Sequence, residues 1–172
     1  AYDLGVSLIG VEGQESDIGY ISTSTTLALL NSNWPVVLDG GIGSAPAITD
    51  IDNDEDNEVI AATFSGSVFI VETDGSATKI YDSEYLLSGI AIGHVHPSST
   101  RDEIVVSGWD YDAVDGKNGV VIVLKWNVIG GWAATEIEAS SGGDQRIHEY
   151  LTVPVLFNAD NSEGLEIALR TF

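Results

Sequence analysis

Hydrophobic residues in this chain occur in short runs, without the spacing of three or four residues that marks an amphipathic helix. Small, β-branched and aromatic residues fill stretches such as 58–63, 67–71 and 103–107, and Gly, Asn, Asp and Ser separate these stretches. Strands joined by turns produce this pattern, whereas helices need longer periodic segments. The pattern therefore predicts an all-β, antiparallel fold.

One unit of this pattern, residues 44–83, is especially clear. It contains four predicted strands, at residues 45–49, 58–63, 67–71 and 77–81. Ser65-Gly66 and Asp74-Gly75 are typical of the tight turns that join antiparallel strands. Four strands in meander order over about 40 residues have the length and layout of one blade of a β-propeller.

The same order recurs along the chain. The first unit has predicted strands at 5–10, 18–22, 27–30 and 34–37. The third has them at 88–92 and 103–107, followed by a long hairpin that turns at 115–119 and returns through 120–126, and by 132–138. The fourth has only 151–156 and 165–169. The sequence thus predicts a single repeat domain over residues 1–172, built of four-stranded antiparallel meander blades with approximate bounds 1–40, 41–84, 85–146 and a partial blade 147–172.

The partial last blade predicts an incomplete ring. A propeller closes by sharing one blade between the two ends of the chain, and no leading strands remain to complete the fourth unit. We therefore expect either a fragment of a longer product, whose further segments complete the blade, or a homo-oligomer that closes through neighbouring copies.

The loop at residues 50–58 carries the strongest chemical signal. Six carboxylates fall within these nine residues. The candidate ligands stand at positions one, three, five, seven and nine of the loop, and they are Asp50, Asp52, Asp54, Asp56 and Glu58. Their mutual repulsion costs stability unless a cation neutralises it, and Ca²⁺ accepts six to eight oxygen ligands in irregular geometry. The loop is predicted to bind Ca²⁺; a solvated acidic turn is the alternative.

The stretch 44–60 also resembles the FG-GAP or VCBS-type repeat of integrin-α-like β-propellers. In that family an Asp-x-Asp-x-Asp-Gly-x-x-Asp/Glu loop joins the first two strands of a blade and binds calcium. The pair Trp34-Pro35 is similar to the spacer between such blades. The resemblance covers the chain in its repeat layout and is specific only in the second unit. Position six departs from the family, because Glu55 replaces a left-handed Gly at a cost of about 1 kcal/mol.

Two other units carry altered versions of the loop. The fourth keeps the spacing with weaker ligands and is a weak calcium candidate through Asn158, Asp160, Ser162 and Glu166. In the third, His94, His96 and Ser98 stand where acids would be. Two His without an evident third ligand favour a structural hydrogen-bonding role over a transition-metal site.

Composition narrows the classes of partner. Six Lys plus Arg against 27 Asp plus Glu give a net charge of −21, which argues against nucleic acid and anionic membranes. No apolar run approaches the ~20 residues of a membrane-spanning helix, so membrane insertion is not expected. The acidity fits divalent-cation sites or a salt-rich environment equally. The chain has no Cys, which excludes disulfides and thiolate chemistry, so a secreted form would need another source of rigidity such as calcium.

Catalysis has little support in the sequence. His148 could join Ser140 or Ser141 in a nucleophilic set, but no Gly-x-Ser-x-Gly motif accompanies them. Aromatic side chains are more informative, because they can grip a protein or stack on a glycan. Trp109 and Tyr111 are the candidates for ligand binding, whereas Trp34 and Trp126 are expected in the core.

The predicted function is a non-catalytic, calcium-stabilised β-propeller module, secreted or at the cell surface, that binds a protein or a glycan. This rests largely on the family resemblance. One alternative is the propeller portion of a secreted polysaccharide-degrading enzyme, against which the scatter of the six basic residues counts. The other is a subunit of a surface assembly or filament.

Overall fold

The computed structural model of the chain describes residues 2–6, 19–23, 33–109, 119–139 and 153–169. These residues form strands and no helix, and every strand pair is antiparallel. In this part of the chain there is accordingly no helix long and apolar enough to cross a membrane. The prediction of an all-β, antiparallel fold is confirmed.

The chain divides into two compact units, residues 1–34 and 35–172. The described part of the first is a hairpin of β1 (Tyr2–Val6) and β2 (Gly19–Thr23). The strands thus begin at Tyr2 and Gly19 rather than at residues 5 and 18, and the predicted strand 27–30 lies outside the described residues. The predicted strand at 34–37 is wrong: no strand forms there, where Pro35 has no N–H to donate to a ladder.

The larger unit begins with a four-stranded meander in chain order. Its strands are β3 (Ala47–Thr49), β4 (Glu58–Ala62), β5 (Val68–Val71) and β6 (Ala77–Tyr81). All four were predicted, within a few residues at each end. The turn between β4 and β5 requires Gly66, whose φ is 92° and whose Cβ, if present, would lie 2.0 Å from the carbonyl oxygen of Ser83.

A second four-stranded meander and a hairpin follow, each again in chain order. The meander consists of β7 (Leu86–Gly93), β8 (Glu103–Trp109), β9 (Gly119–Asn127) and β10 (Gly131–Ala139), and the hairpin of β11 (Val155–Phe157) and β12 (Glu166–Ala168). The predicted long hairpin is confirmed by the pairing of Trp109 with Gly119; its turn, 110–118, lies outside the described residues.

The three sheets of the larger unit stack face to face, with β7–β10 in the middle. Alternate residues of β8 and β9 point to opposite faces, as the strand period of two requires. Ile104 and Ile122 share one core with Ile60 of the first meander. Val105 and Val121 pack on the other side against residues of the last hairpin, including Leu156 and Ile167. Burial on both faces makes the middle sheet the most apolar, at roughly 1.5–3 kcal/mol per large side chain.

The repetition of antiparallel four-stranded sheets is therefore observed. The described residues do not show a closed ring, so the propeller itself remains a prediction.

Asp39 fastens the segment before β3 to the turn between β4 and β5. Its carboxylate accepts hydrogen bonds from the hydroxyls of Ser65 (2.8 Å), Ser67 (2.7 Å) and Thr63 (3.1 Å), and forms a 2.7 Å ion pair with Lys79. The Lys79 ammonium, and after it the Ser67 hydroxyl, hold the pKa of Asp39 well below its ordinary value of 3.8. Asp39 thus stabilises the fold as an anion.

This arrangement fixes the expected pH dependence. Because the folded pKa is depressed, the stabilisation is complete above the unfolded pKa of 3.8 and is lost as the pH falls below it. In the presence of a calcium chelator, Asp39→Asn should therefore have a lower melting temperature than the parent protein at pH 7. Between pH 4 and 2 its melting temperature should fall less steeply than that of the parent. Circular dichroism measures both. Glu84→Gln, which changes an exposed carboxylate between β6 and β7, should show neither difference. Parallel declines in the parent protein and Asp39→Asn would exclude this role.

Candidate metal site

The acidic loop connects β3 to β4 and is curled by Asp50. The Asp50 carboxylate accepts the backbone N–H groups of Asn53 (2.7 Å), Asp54 (3.1 Å) and Glu55 (3.1 Å). The curl places Asn53 and Glu55 in left-handed conformations, with φ of 66° and 78°. Glu55 therefore adopts the left-handed backbone conformation for which FG-GAP or VCBS-type repeats have Gly at the corresponding position. For a non-Gly residue this conformation costs about 1 kcal/mol.

Glu58 is the first residue of β4 and ends the loop. It is only 1% exposed, and its Oε2 accepts the N–H of Ile51 at 2.8 Å. Ile51 is itself 2% exposed and packs in the main core, so it anchors the loop to the sheet. The other oxygen, Oε1, is buried without a hydrogen-bond partner among the described residues, and so is Oδ1 of Asp52. Buried acceptors left in this state are costly.

Three of the five predicted ligands converge. One carboxylate oxygen each from Asp50, Asp52 and Glu58 lies within 4.8 Å of the other two. Oxygens that each lie 2.3–2.6 Å from one Ca²⁺ are at most ~5 Å apart, so the spacing fits a shared ion. Asp54 and Asp56 are exposed and are not part of this group; one Asp54 oxygen accepts the Asp56 N–H at 2.9 Å.

Among the described residues, no Lys, Arg or His forms an ion pair with these carboxylates. Burial raises the pKa of Glu58, and the neighbouring charges of Asp52, Asp54 and Asp50 raise it further, against the lowering effect of the Ile51 N–H. The pKa of Glu72, after β5, is raised by burial and then chiefly by the charge of Glu58. A raised folded pKa means that ionising the group disfavours folding, so stability is lost as the pH rises through that value. A bound cation would remove this cost.

The third unit has a glutamate at the position equivalent to Glu58, and both of its carboxylate oxygens accept hydrogen bonds from the protein. Glu103 is the first residue of β8 and is 0% exposed. Its Oε2 accepts the N–H of Val95 at 2.8 Å and that of His96 at 3.4 Å. Its Oε1 accepts the Ser99 hydroxyl and lies 3.2 Å from His96 Nδ1. The expected hydrogen-bonding role of a loop His is therefore observed at His96.

The fourth unit repeats the backbone geometry with less charge. Glu166, the first residue of β12, accepts the N–H of Ala159 at 2.7 Å. Asn158 takes the place of Asp50 and accepts the N–H of Asn161 at 2.6 Å, while its own amide donates to the Ser162 carbonyl. The hydroxyl and backbone N–H of Ser162 lower the pKa of Asp160. Within the described residues, no group of three His, Cys, Asp or Glu side chains forms here.

Glu58, Glu103 and Glu166 thus share one place in three successive units. Each begins the second strand of its unit and accepts the N–H of the second loop residue. The units differ at the remaining oxygen: in the third, protein donors reach Oε1, whereas in the second no described residue does. The second unit therefore has the acceptors for a cation where the third supplies donors of its own.

The aromatic candidates are placed unevenly. Trp109 is half-buried at the end of β8 and makes an edge contact with Phe64, with ring centroids 6.4 Å apart. Tyr111, His148, Ser140 and Ser141 lie outside the described residues. Trp34 and Trp126, which were expected in the core, are half-buried and are not among the buried residues of the main core. Trp126 lies near the end of β9. The guanidinium of Arg101 lies over its ring, and Trp132 contacts it in an edge-to-face arrangement.

Comparison of the chain with protein-family models, with curated protein sequences and with solved structures gives no significant match. Function is therefore inferred from the residues and geometry of the chain itself.

Proposed function

We propose that this chain is a non-catalytic, calcium-stabilised β-propeller module, secreted or at the cell surface, that binds a protein or a glycan. One observation carries the calcium part: the buried Oε1 of Glu58 has no partner among the described residues, and the Glu58 carboxylate converges with those of Asp50 and Asp52. The counterpart oxygen of Glu103 accepts the Ser99 hydroxyl.

The donor set favours calcium over other metals. All three converging ligands are carboxylates, and neither His nor Cys joins them. Zinc prefers nitrogen and sulfur ligands, and magnesium demands near-ideal octahedral geometry with much of its water retained. An irregular loop that offers hard oxygens matches the wider tolerance of Ca²⁺.

The sheet packing supports the propeller part of the proposal. Blades of a propeller are four-stranded meanders that pack face to face around an axis. The meanders β3–β6 and β7–β10 have the strand order of such blades and share one core. The resemblance of residues 44–60 to FG-GAP or VCBS-type repeats agrees with that layout. The proposed extracellular setting goes with the weak class of calcium site, because sites of ~10⁻⁴–10⁻³ M fill only at extracellular calcium concentrations.

Isothermal titration of the parent chain with Ca²⁺ tests the proposal. We expect one Ca²⁺ ion per chain to bind with a dissociation constant of about 10⁻⁴ M, and Mg²⁺ to compete only weakly for the site. Asp52→Asn should weaken binding at least about tenfold, because it removes a converging charged ligand. Asp160→Asn, the matched change in the fourth-unit loop, should leave binding intact. Absence of binding at millimolar Ca²⁺, or equal binding by Asp52→Asn, would refute the site.

A further inference from the structure

A cleft of about 200 Å³ lies beside the candidate cation site, between the β3–β6 and β7–β10 sheets. Asp52, Glu58 and Glu72 line it from the first side, together with Thr78. From the second side it is lined by Arg101 and by the pair Trp126 and Trp132, and three isoleucines complete it. Glu58, whose buried Oε1 has no hydrogen-bond partner among the described residues, therefore borders a space that a ligand can enter.

The second wall of the cleft is preorganised. The rings of Trp126 and Trp132 meet edge to face with centroids 5.7 Å apart. The guanidinium of Arg101 lies 4.6 Å from the Trp126 centroid, where cation–π attraction holds it. Arg101 thus has a fixed position at the cleft, beside an apolar surface made by Trp132.

The lining combines charges of both signs that do not pair with each other. Among the described residues, no carboxylate lies within ion-pair distance of Arg101. Glu72 and Asp52 can only accept hydrogen bonds, Arg101 can only donate, and Thr78 does both. A ligand that satisfies such a lining needs donors and acceptors together with an apolar face, and a ring carrying several hydroxyls has all three.

Charge and size narrow the ligand further. The net charge of −21 disfavours an anionic polymer. With Ca²⁺ assigned to Asp52 and Glu58, the remaining charged groups of the lining are Glu72 and Arg101, whose opposite charges favour a neutral ligand over an organic cation. A volume near 200 Å³ is below the ~300–1,000 Å³ of drug-sized pockets, so the cleft holds about one ring.

We propose that this cleft binds one neutral pyranose residue of a glycan. The apolar face of the sugar packs on Trp132, and its hydroxyls bond to Glu72, Thr78 and Arg101. The inference rests on the proposed function in one respect: the calcium ion is assigned to Asp52 and Glu58, so the sugar contacts the remaining groups.

The test is a titration of the full chain, ¹⁵N-labelled, with methyl glycosides of D-glucose, D-galactose and D-mannose, followed by the NMR signals of the four Trp indoles. At least one glycoside should shift the Trp126 and Trp132 signals saturably. Trp132→Ala, Arg101→Gln and Glu72→Gln should each weaken binding by about tenfold, the loss of one stacking or charged contact. Lys125→Gln is the matched control, because it removes a positive charge outside the lining of the cleft, and it should bind normally. Circular dichroism verifies folding of every variant.

Charged probes and calcium separate the other outcomes. Saturable shifts only with glucuronate or only with n-butylammonium would overturn the proposal in favour of an ionic ligand. No shift with any glycoside, or equal shifts of all four indoles, would overturn it as well. Repeating the titration with Ca²⁺ and with chelator, beside the calorimetry described above, distinguishes the two hypotheses. Calcium binding without sugar binding refutes this inference alone, and sugar binding without calcium binding refutes the calcium site alone.

Discussion

Glu58→Gln is expected to abolish the calcium response of the protein without lowering its stability in chelator. In the absence of a cation, the ionised Glu58 is buried, has one unpartnered oxygen and is repelled by Asp52. The amide removes that charge while its carbonyl oxygen still accepts the Ile51 N–H. The substitution therefore removes a cost from the apo protein and a ligand from the ion.

The size of the effect follows from linkage. At a calcium concentration of 100 times the dissociation constant, binding stabilises the parent by about 2.7 kcal/mol, or about 5–10 °C in melting temperature for a chain of this length. Glu58→Gln should gain less than about 1 °C from the same calcium. In chelator, its melting temperature should equal or exceed that of the parent. Scanning calorimetry with calcium and with chelator measures both quantities.

Two results would contradict this reasoning. An unchanged calcium response of Glu58→Gln would mean that the ion binds elsewhere. A large loss of stability in chelator would mean that groups of the protein already compensate the charge of Glu58. Glu84→Gln serves as the control, because it removes one negative charge outside the loop and should retain the full response.

Much of this site could be predicted from sequence because its signals are local. The acids at alternate positions of residues 50–58 identify the loop, and the turn residues around it identify β4 and β5. The spacing does not show which carboxylates converge. Exposed Asp54 and Asp56 obey the same pattern as Asp50 and Asp52, and burial of Glu58 depends on how Ile51 packs.

Glu103 was missed for an identifiable reason. Its loop is one residue longer, since Glu103 accepts an N–H eight residues back whereas Glu58 and Glu166 accept one seven residues back. When the units are aligned by the spacing of their acidic residues, His94 and His96 therefore align with loop acids of the second unit, and Glu103 does not align with Glu58. A Glu at the start of the second strand in the second, third and fourth units was the available signal. The sheet-to-sheet cleft leaves no such local signal, because its walls meet only when the sheets pack.

Glu103→Gln is expected to destabilise the protein by about 2 kcal/mol, equally with calcium and with chelator. The carboxylate of Glu103 gathers the N–H groups of Val95 and His96 and the hydroxyl of Ser99, all at a fully buried position. Hydrogen bonds to a charged acceptor contribute ~1.5–3 kcal/mol and those to a neutral one ~0.5–1.5. An amide N–H₂ in place of Oε1 would also face the Ser99 hydroxyl, which donates to that oxygen at present. The melting temperature should fall by about 4–8 °C in calorimetry.

The pair of substitutions is decisive because the chemistry is identical and the expected signs differ. Glu58→Gln removes an uncompensated charge, and Glu103→Gln removes a compensated one. Glu103→Gln should keep the full calcium increment, and the two changes combined should add, because they affect separate loops. If Glu103→Gln were harmless, protein donors at Oε1 would not matter to this kind of loop. The missing donors at Glu58 would then no longer indicate the place of a cation, and the calcium proposal would lose the comparison between units on which it depends.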